Sequence, residues 1–534
     1  MAWVAAFCFQ ELRTKVRTYT LPMRVMVTAI LIAAAAAATA APLAAQTLRL
    51  GTIDFPTSGM PAAQPFFVTG VMYLHSFEYE AAARAFREAE RLDPDYAMAY
   101  WGEAMTYTHP VWNQQDRDAA RAALARLAPT AAARRAKART PREQAYLDAV
   151  EVLYGEGPKP HRDTAYASAM ERLATANSGD LEAQAFYALS LLGLNQGVRD
   201  VPTYLRAGAI AEAVFRANPD HPGAAHYIIH AFDDPTHAPL GLHAARAYVG
   251  IAPGAAHAQH MTTHIFLAMG MWDDVASQNE IAAGADRSRW MPGHYTTWLG
   301  YAYLQQGRYA EARRLLETLA DNAGRGRQRG ILASLQARFV IDVEQWDGPE
   351  AMGLAAGAGA PGEDGYEYAT FVAGLAALRR GDRAAAERAL AALTGARGNA
   401  GATARVGDTG DRVVPVILEQ ELQAQLRVGA GATEEALALL RDATALEDGM
   451  PFEFGPPVVV KPAHEMLGEI LLEIGRPREA EAEFQRALAL APKRALSLRG
   501  LARAAAAAGD TATAARASSM LREVWHRADP GPRR

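Results

Sequence analysis

The 534-residue chain has a single cysteine, Cys8, at its far N-terminal end, so no disulfide framework can staple the folded part. Alternating runs of Val, Ile and Thr are nearly absent, which argues against a sheet. Charge of one sign is also missing. Fifty-four Lys and Arg face 59 Asp and Glu, for a net charge of −5, and no basic face stands out. That excludes nucleic acid as the expected partner. Beyond the first 45 residues no stretch is apolar enough to span a membrane. What the chain does have is an excess of Ala with plentiful Leu, Arg and Glu, a mixture that favours helix.

Arg24 precedes an apolar run from Val25 to Ala41, followed by Pro42-Leu43-Ala44-Ala45-Gln46. A charged start, a short apolar core and small residues form the pattern of a signal peptide. Cleavage is expected after Ala45, with the mature chain periplasmic or secreted. An uncleaved anchor helix is the alternative, although the run is short and Ala-rich for a span. A lipid anchor is excluded because no cysteine follows. The first 22 residues do not fit the pattern, which points to Met23 or Met26 as the start.

At 534 residues the chain exceeds one ordinary core, but a repeat array escapes that limit because each unit packs only on its neighbours. Ala463 to Pro492 supplies a frame: Leu467-Gly468, then Ala480, Phe484 and Ala487, closed by Pro492. Small residues let two helices approach, Phe fills the gap, and Pro ends the second helix. Gly70, Tyr73, Ala82, Phe86, Ala89 and Pro94 repeat it. So do Leu299-Gly300, Tyr303, Gly307, Tyr309 and Ala312, and later Gly374, Gly381, Ala386 and Leu390. Weaker copies begin near Ala97, Leu181, Pro222, Ala256, Ile417 and Ala495.

This pattern resembles the tetratricopeptide repeat, TPR, with its 34-residue period. The expected fold is all-α: a TPR-type superhelical solenoid of roughly ten hairpins. Gly/Ala-rich stretches at Gly353–Gly365 and Gly395–Gly410 read as flexible loops. Asp448–Pro462, which contains MPFEFGPPVVVKP, is apolar, stiffened by Pro and too long for a plain turn. It covers either a hydrophobic edge or a pocket. These loops divide the chain into residues 1–45, an N-terminal array over 46–350 and a C-terminal array over 351–534.

Nine of the fourteen histidines lie between His221 and His294. With Pro219 and Pro253 closing successive repeats, His226/His230 and His260/His264 occupy the same helix positions one 34-residue period apart. Residues at i and i+4 share a helix face, and His257 and Asp233 extend those faces by i and i+7. Helices packed about 8–10 Å apart allow two imidazoles to share a metal. The resemblance to TPR proteins implies that these positions line the concave groove. His75 and His109 are also 34 residues apart, and the same frame places both at the end of a first helix, facing inward.

The expected metal ligands are therefore His226, His230, His260 and His264, with His257, Asp233, His75, His109 and His294 as further ligand-binding candidates. The segments AAHYIIHAFDDP and APLGLHAARAYVGIAPGAAHAQHMTTHIFLAMGMWDD also resemble an uncharacterised group of bacterial exported TPR proteins. The sequence carries no His-Glu-x-x-His motif, phosphate loop or nucleophile elbow. Trp101, Tyr107 and Trp112 could wall a pocket or belong to the core. Two functions remain open. One is a scaffold binding a peptide or protein segment, or a metal, in a His-lined groove. The other is a metal-dependent hydrolase or oxidoreductase using zinc, iron or copper.

Overall fold

The computed structural model describes residues 49–530 apart from 196–198, 286–289, 325, 358, 402–404, 406–407 and 453. The segment read as a signal peptide lies outside the described residues. Leu50 onward forms one compact unit of α-helices, most of them packed against their neighbours in sequence. This is a TPR-type α-α solenoid. The expected copies at Ala97, Leu181, Pro222, Ala256 and Ala495 each coincide with the first residue of a helix. Ile417 does not; it lies inside the helix Gly410–Val428, which carries Pro415 in its interior.

The repeat frame has a direct packing cause. A Cβ on Gly70 would come within 2.6 Å of the Phe86 ring, and one on Gly102 within 2.3 Å. The same clamp recurs with Gly468, Phe484 and Gly500, at 3.0 and 2.2 Å. One Phe on the second helix thus fills the space vacated by glycines on two successive first helices, so any side chain there would force the layers apart.

Several expectations change. Gly353–Gly357 and Gly395–Gly401 are helical rather than loop. The absence of strands also fails locally, since Thr108–His109 pairs with Gln114–Gln115 in a two-residue antiparallel bridge. His109 is therefore not at a helix end. The helix Ala97–Met105 stops earlier, and His109 precedes Pro110, which disfavours helical backbone at that position.

Apolar side chains sort into two large clusters that meet at the helix Arg327–Val343, near the division expected at residue 350. The C-terminal helices nevertheless return to the first cluster through Leu498 and Trp525. Buried Arg494 locks this return, pairing with Asp342 at 2.7 Å and Glu465 at 2.9 Å. The superhelix also curls tightly at its other end. Gly51 sits at φ +92°, where an added Cβ would meet Asp220 O at 2.5 Å, and Thr52 N donates to Asp220 O. The first hairpin is thereby laid against the repeats that carry the histidines.

Candidate metal centre

Three helices and one turn build the centre. Pro222–Phe232 carries His226 and His230, Ala256–Ala268 carries His257, His260 and His264, and His294 begins His294–Gln305. The turn after Gln64–His75 adds Phe77 at φ 55°, a left-handed conformation that costs a bulky residue of order 1–3 kcal/mol. It sets the Phe77 ring 4.2 Å from His226 and stacks it on His230 and His257. Trp298 stacks on His264 at 4.5 Å, and Tyr295 lies 4.7 Å from His260.

The histidines divide into two triads. One ring nitrogen each from His226, His230 and His257 lie within 4.8 Å of one another, and so do those from His260, His264 and His294. Of the four expected ligands, His226 and His230 fall in one triad and His260 and His264 in the other, while His230 and His264 also approach each other around Asp233. The open groove is corrected. His226 and His260 are wholly buried and His230 and His264 are 2% exposed, because the first hairpin and the Pro-rich loop cover them.

Hydrogen bonds assign the tautomers. His226 Nδ1 lies 2.6 Å from the carbonyl of His75, which can only accept. His260 Nδ1 meets the Asn279 side-chain oxygen at 2.7 Å, while the Asn279 amide nitrogen donates to Val275 O. His264 Nδ1 lies 3.0 Å from Asp233 Oδ2. Each Nδ1 therefore donates a proton, leaving a lone pair on Nε2. The Nε2 atoms of His226, His230, His257, His260 and His264 are all buried without a hydrogen-bond partner.

Burial, then neighbouring histidines, push the pKa values of His226, His257 and His260 well below the ordinary value. Burial takes His264 to about 4, although Asp233 pulls the other way. His294 is lowered too, first by its desolvated surroundings and then by His264, even though the residue itself opens on a cavity. Neutral imidazoles with free lone pairs at neutral pH are what a metal ion requires.

Two candidate ligands take other roles. Asp233 accepts from His264 through Oδ2, lies 3.5 Å from His230 through the same oxygen, and binds Arg199 at 2.5 Å through Oδ1. Burial opposes its ionisation, but Arg199 and the two histidines hold its carboxyl well below the usual range. It orients ligands rather than completing the shell. Both ring nitrogens of His75 are in use, Nδ1 with Tyr227 OH at 2.8 Å and Nε2 with Glu182 at 2.7 Å. Glu182 also lies 3.1 Å from His221 Nε2, and His221 Nδ1 accepts from Ala224 N. His75, Glu182 and His221 also sit close enough to hold an ion, but both nitrogens of His75 are already bonded and His221 Nδ1 accepts from Ala224 N. His75 contributes its main-chain carbonyl instead.

A cavity of about 420 Å³ opens against the two triads. His109, His257 and His294 line it with Phe77, Tyr79, Trp112, Tyr295 and Arg327. His109 stacks on Tyr79 at 3.9 Å, so it belongs to the cavity wall. Trp112 shares that wall, whereas Trp101 is fully buried core. On the opposite side, the Pro-rich loop sets Phe454 4.8 Å from His264 and 6.1 Å from His230. Gly455 lies at φ +114°, where an added Cβ would approach Trp298 at 2.9 Å. Phe77, Phe454 and Asn279 were not singled out from sequence. Only the loop's apolar, Pro-rich composition signalled that something there is covered.

Residues 462–494 match the tetratricopeptide repeat family. No curated protein matches the chain. Among solved structures, the human IFIT1 dimer with m7Gppp-AAAA aligns over 89% of this chain and 91% of its own, at 14% identity and a TM-score of 0.33. Yeast Tom70 aligns over 84% and 89%, at 12% identity and a TM-score of 0.30. These likenesses carry nothing over to the chemistry of the histidines.

Proposed function

We propose that the chain is a metal-dependent enzyme whose solenoid seats a buried, all-histidine transition-metal centre beside a cavity for a small substrate. The observation behind this reading is the set of five buried Nε2 atoms without a hydrogen-bond partner, three of which carry an assigned lone pair. An unsatisfied buried polar group costs about 1–3 kcal/mol, so five together would consume a stability comparable with that of a whole domain. A bound cation relieves that cost and also the mutual repulsion of the lone pairs.

An imidazole donor set suits zinc, copper or iron. With Asp233 engaged by Nδ1 groups and Arg199, the pairing of two histidines with a carboxylate loses support. Three protein ligands per triad leave a coordination position, and the cavity beside His257 and His294 is where water, oxygen or substrate would reach it. Its volume of about 420 Å³ falls within the range of small-molecule sites. A TPR-type solenoid is a binding scaffold, and here its interior is the binding element.

Elemental analysis of untagged protein from its native compartment tests this reading. At least one equivalent of transition metal per chain is expected, and less than a tenth of an equivalent refutes it. His230→Ala combined with His264→Ala should abolish retention. We place the mature chain in the periplasm or outside the cell on the pattern of residues 24–46. N-terminal sequencing should then begin at Gln46, and a retained leader would refute that placement.

A further inference from the structure

We propose that the centre holds two copper ions, one on His226, His230 and His257 and the other on His260, His264 and His294, close enough to act as a pair. The proposal rests on the metal reading above and adds the number, the element and the pairing of the ions.

The ring spacings support two ions in one enclosure. Within the triads, ring centroids lie 4.9 and 5.3 Å apart from His226 to His230 and His257, and 5.2, 4.3 and 6.0 Å apart among His260, His264 and His294. Across the gap, His230 and His264 are 5.5 Å apart, and His257 and His260 are 6.1 Å apart. The spacing across the gap is therefore close to the spacing within the triads. Asp233 ties the halves together, since one carboxylate oxygen faces the Nδ1 of His264 in one triad and of His230 in the other.

The donor set points to the element. All six ligands are imidazoles, none of them anionic, and the nearest carboxylate is paired with Arg199. Coulomb energy scales with the product of the charges, so two monovalent ions repel a quarter as strongly as two divalent ones at the same distance. In a buried site without an anionic ligand, that difference favours Cu(I). Three nitrogens complete a trigonal shell for Cu(I), whereas Zn²⁺ takes four ligands and would need one more at each triad. Dioxygen entering from the cavity is the natural oxidant. Each Cu(I) gives one electron, O₂ takes both together with two protons from solvent, and hydrogen peroxide and two Cu(II) result.

The test is an anaerobic titration of the full-length metal-free protein with Cu(I), using a chromogenic competitor to read free copper, followed by exposure to air and electron paramagnetic resonance. Two copper per chain are expected, with a spin count below a fifth of the total copper after oxidation, because paired Cu(II) ions couple. His294→Ala, at the cavity rim, should bind one copper and return its full spin count; His257→Ala should do the same from the other triad. A wild-type stoichiometry of one overturns the pair and leaves the metal reading standing. Full spin count at a stoichiometry of two overturns the pairing. Tight uptake of two zinc with no copper overturns the element. Uptake of no transition metal overturns both this proposal and the reading it rests on.

Discussion

Replacing Gly223 by Ala should be among the most damaging single-methyl additions to this protein. Gly223 lies in the first turn of Pro222–Phe232, directly against the His75 ring. An added Cβ would sit 2.3 Å from His75 Nδ1 and 2.7 Å from Cγ. The ring has nowhere to go. Phe186 stacks on it at 4.7 Å, His221 stands 4.9 Å away, and both nitrogens are bonded, to Tyr227 and Glu182. Overpacking of this kind costs about 1–3 kcal/mol. If the ring yields instead, the wholly buried Glu182 carboxylate loses a hydrogen-bond donor, which costs upwards of about 3 kcal/mol for a charged group. The expected loss is therefore about 3 kcal/mol or more. It should come with weakened metal binding, because the His75 carbonyl that orients His226 moves with the ring. Gly250→Ala is the control. Its Cβ meets nothing within 4 Å in the helix Ala238–Ile251, so it should be neutral or stabilise by about 0.5–1 kcal/mol. Urea unfolding followed by circular dichroism, with metal content measured on the same samples, checks both. Equal stability and metal content for Gly223→Ala and wild type would refute the packing argument.

Glu182 has a folded pKa near 2: burial raises it, but His221 and His75 more than reverse that. Its ionisation therefore stabilises the fold above the unfolded value near 4.5, and this contribution is lost as pH falls towards 2. The wild-type advantage over Glu182→Gln should be about 3 kcal/mol at pH 7 and vanish by pH 2 in acid titrations of stability. An advantage that does not change with pH would contradict it. Asp233→Asn should weaken metal affinity about 10–100-fold, because a single amide oxygen cannot accept from both His264 Nδ1 and Arg199, with competitive chelator titration as the measurement. Arg494→Met should destabilise by about 3–5 kcal/mol, since it strands Asp342 and Glu465 in the interior; thermal unfolding of the metal-free protein checks this. Phe454→Ala should speed metal loss to a chelator while leaving stoichiometry unchanged, because its ring covers His264 and His230.

The helical hairpins were legible because the repeat is a local pattern, in which glycines and one Phe recur at set spacing. The same ruler placed His226/His230 and His260/His264 at equivalent positions. Curvature was not legible, since it accumulates from small rotations across many interfaces, and so the meeting of His75 with His226 could not be read. The role of Asp233 was hidden for a different reason. Helical spacing sets a face but not which imidazole nitrogen points where, and Nδ1 rather than Nε2 meets the carboxylate. His75 looked like a ligand because its partner, Glu182, lies 107 residues away in sequence.

The bond from His226 Nδ1 to the carbonyl of His75 joins residues 151 apart. In most repeat arrays each unit answers only to its neighbours, and the end units can be trimmed with graded loss. Here a main-chain atom of the first hairpin completes the orientation of a side chain several repeats later. The metal would thus act as an inspector of assembly: a nascent or clipped chain lacking the first hairpin would present histidines free to rotate and would bind weakly and unselectively. Only a chain whose ends have found each other would offer the ready-made donor set, so loading would coincide with the last step of folding.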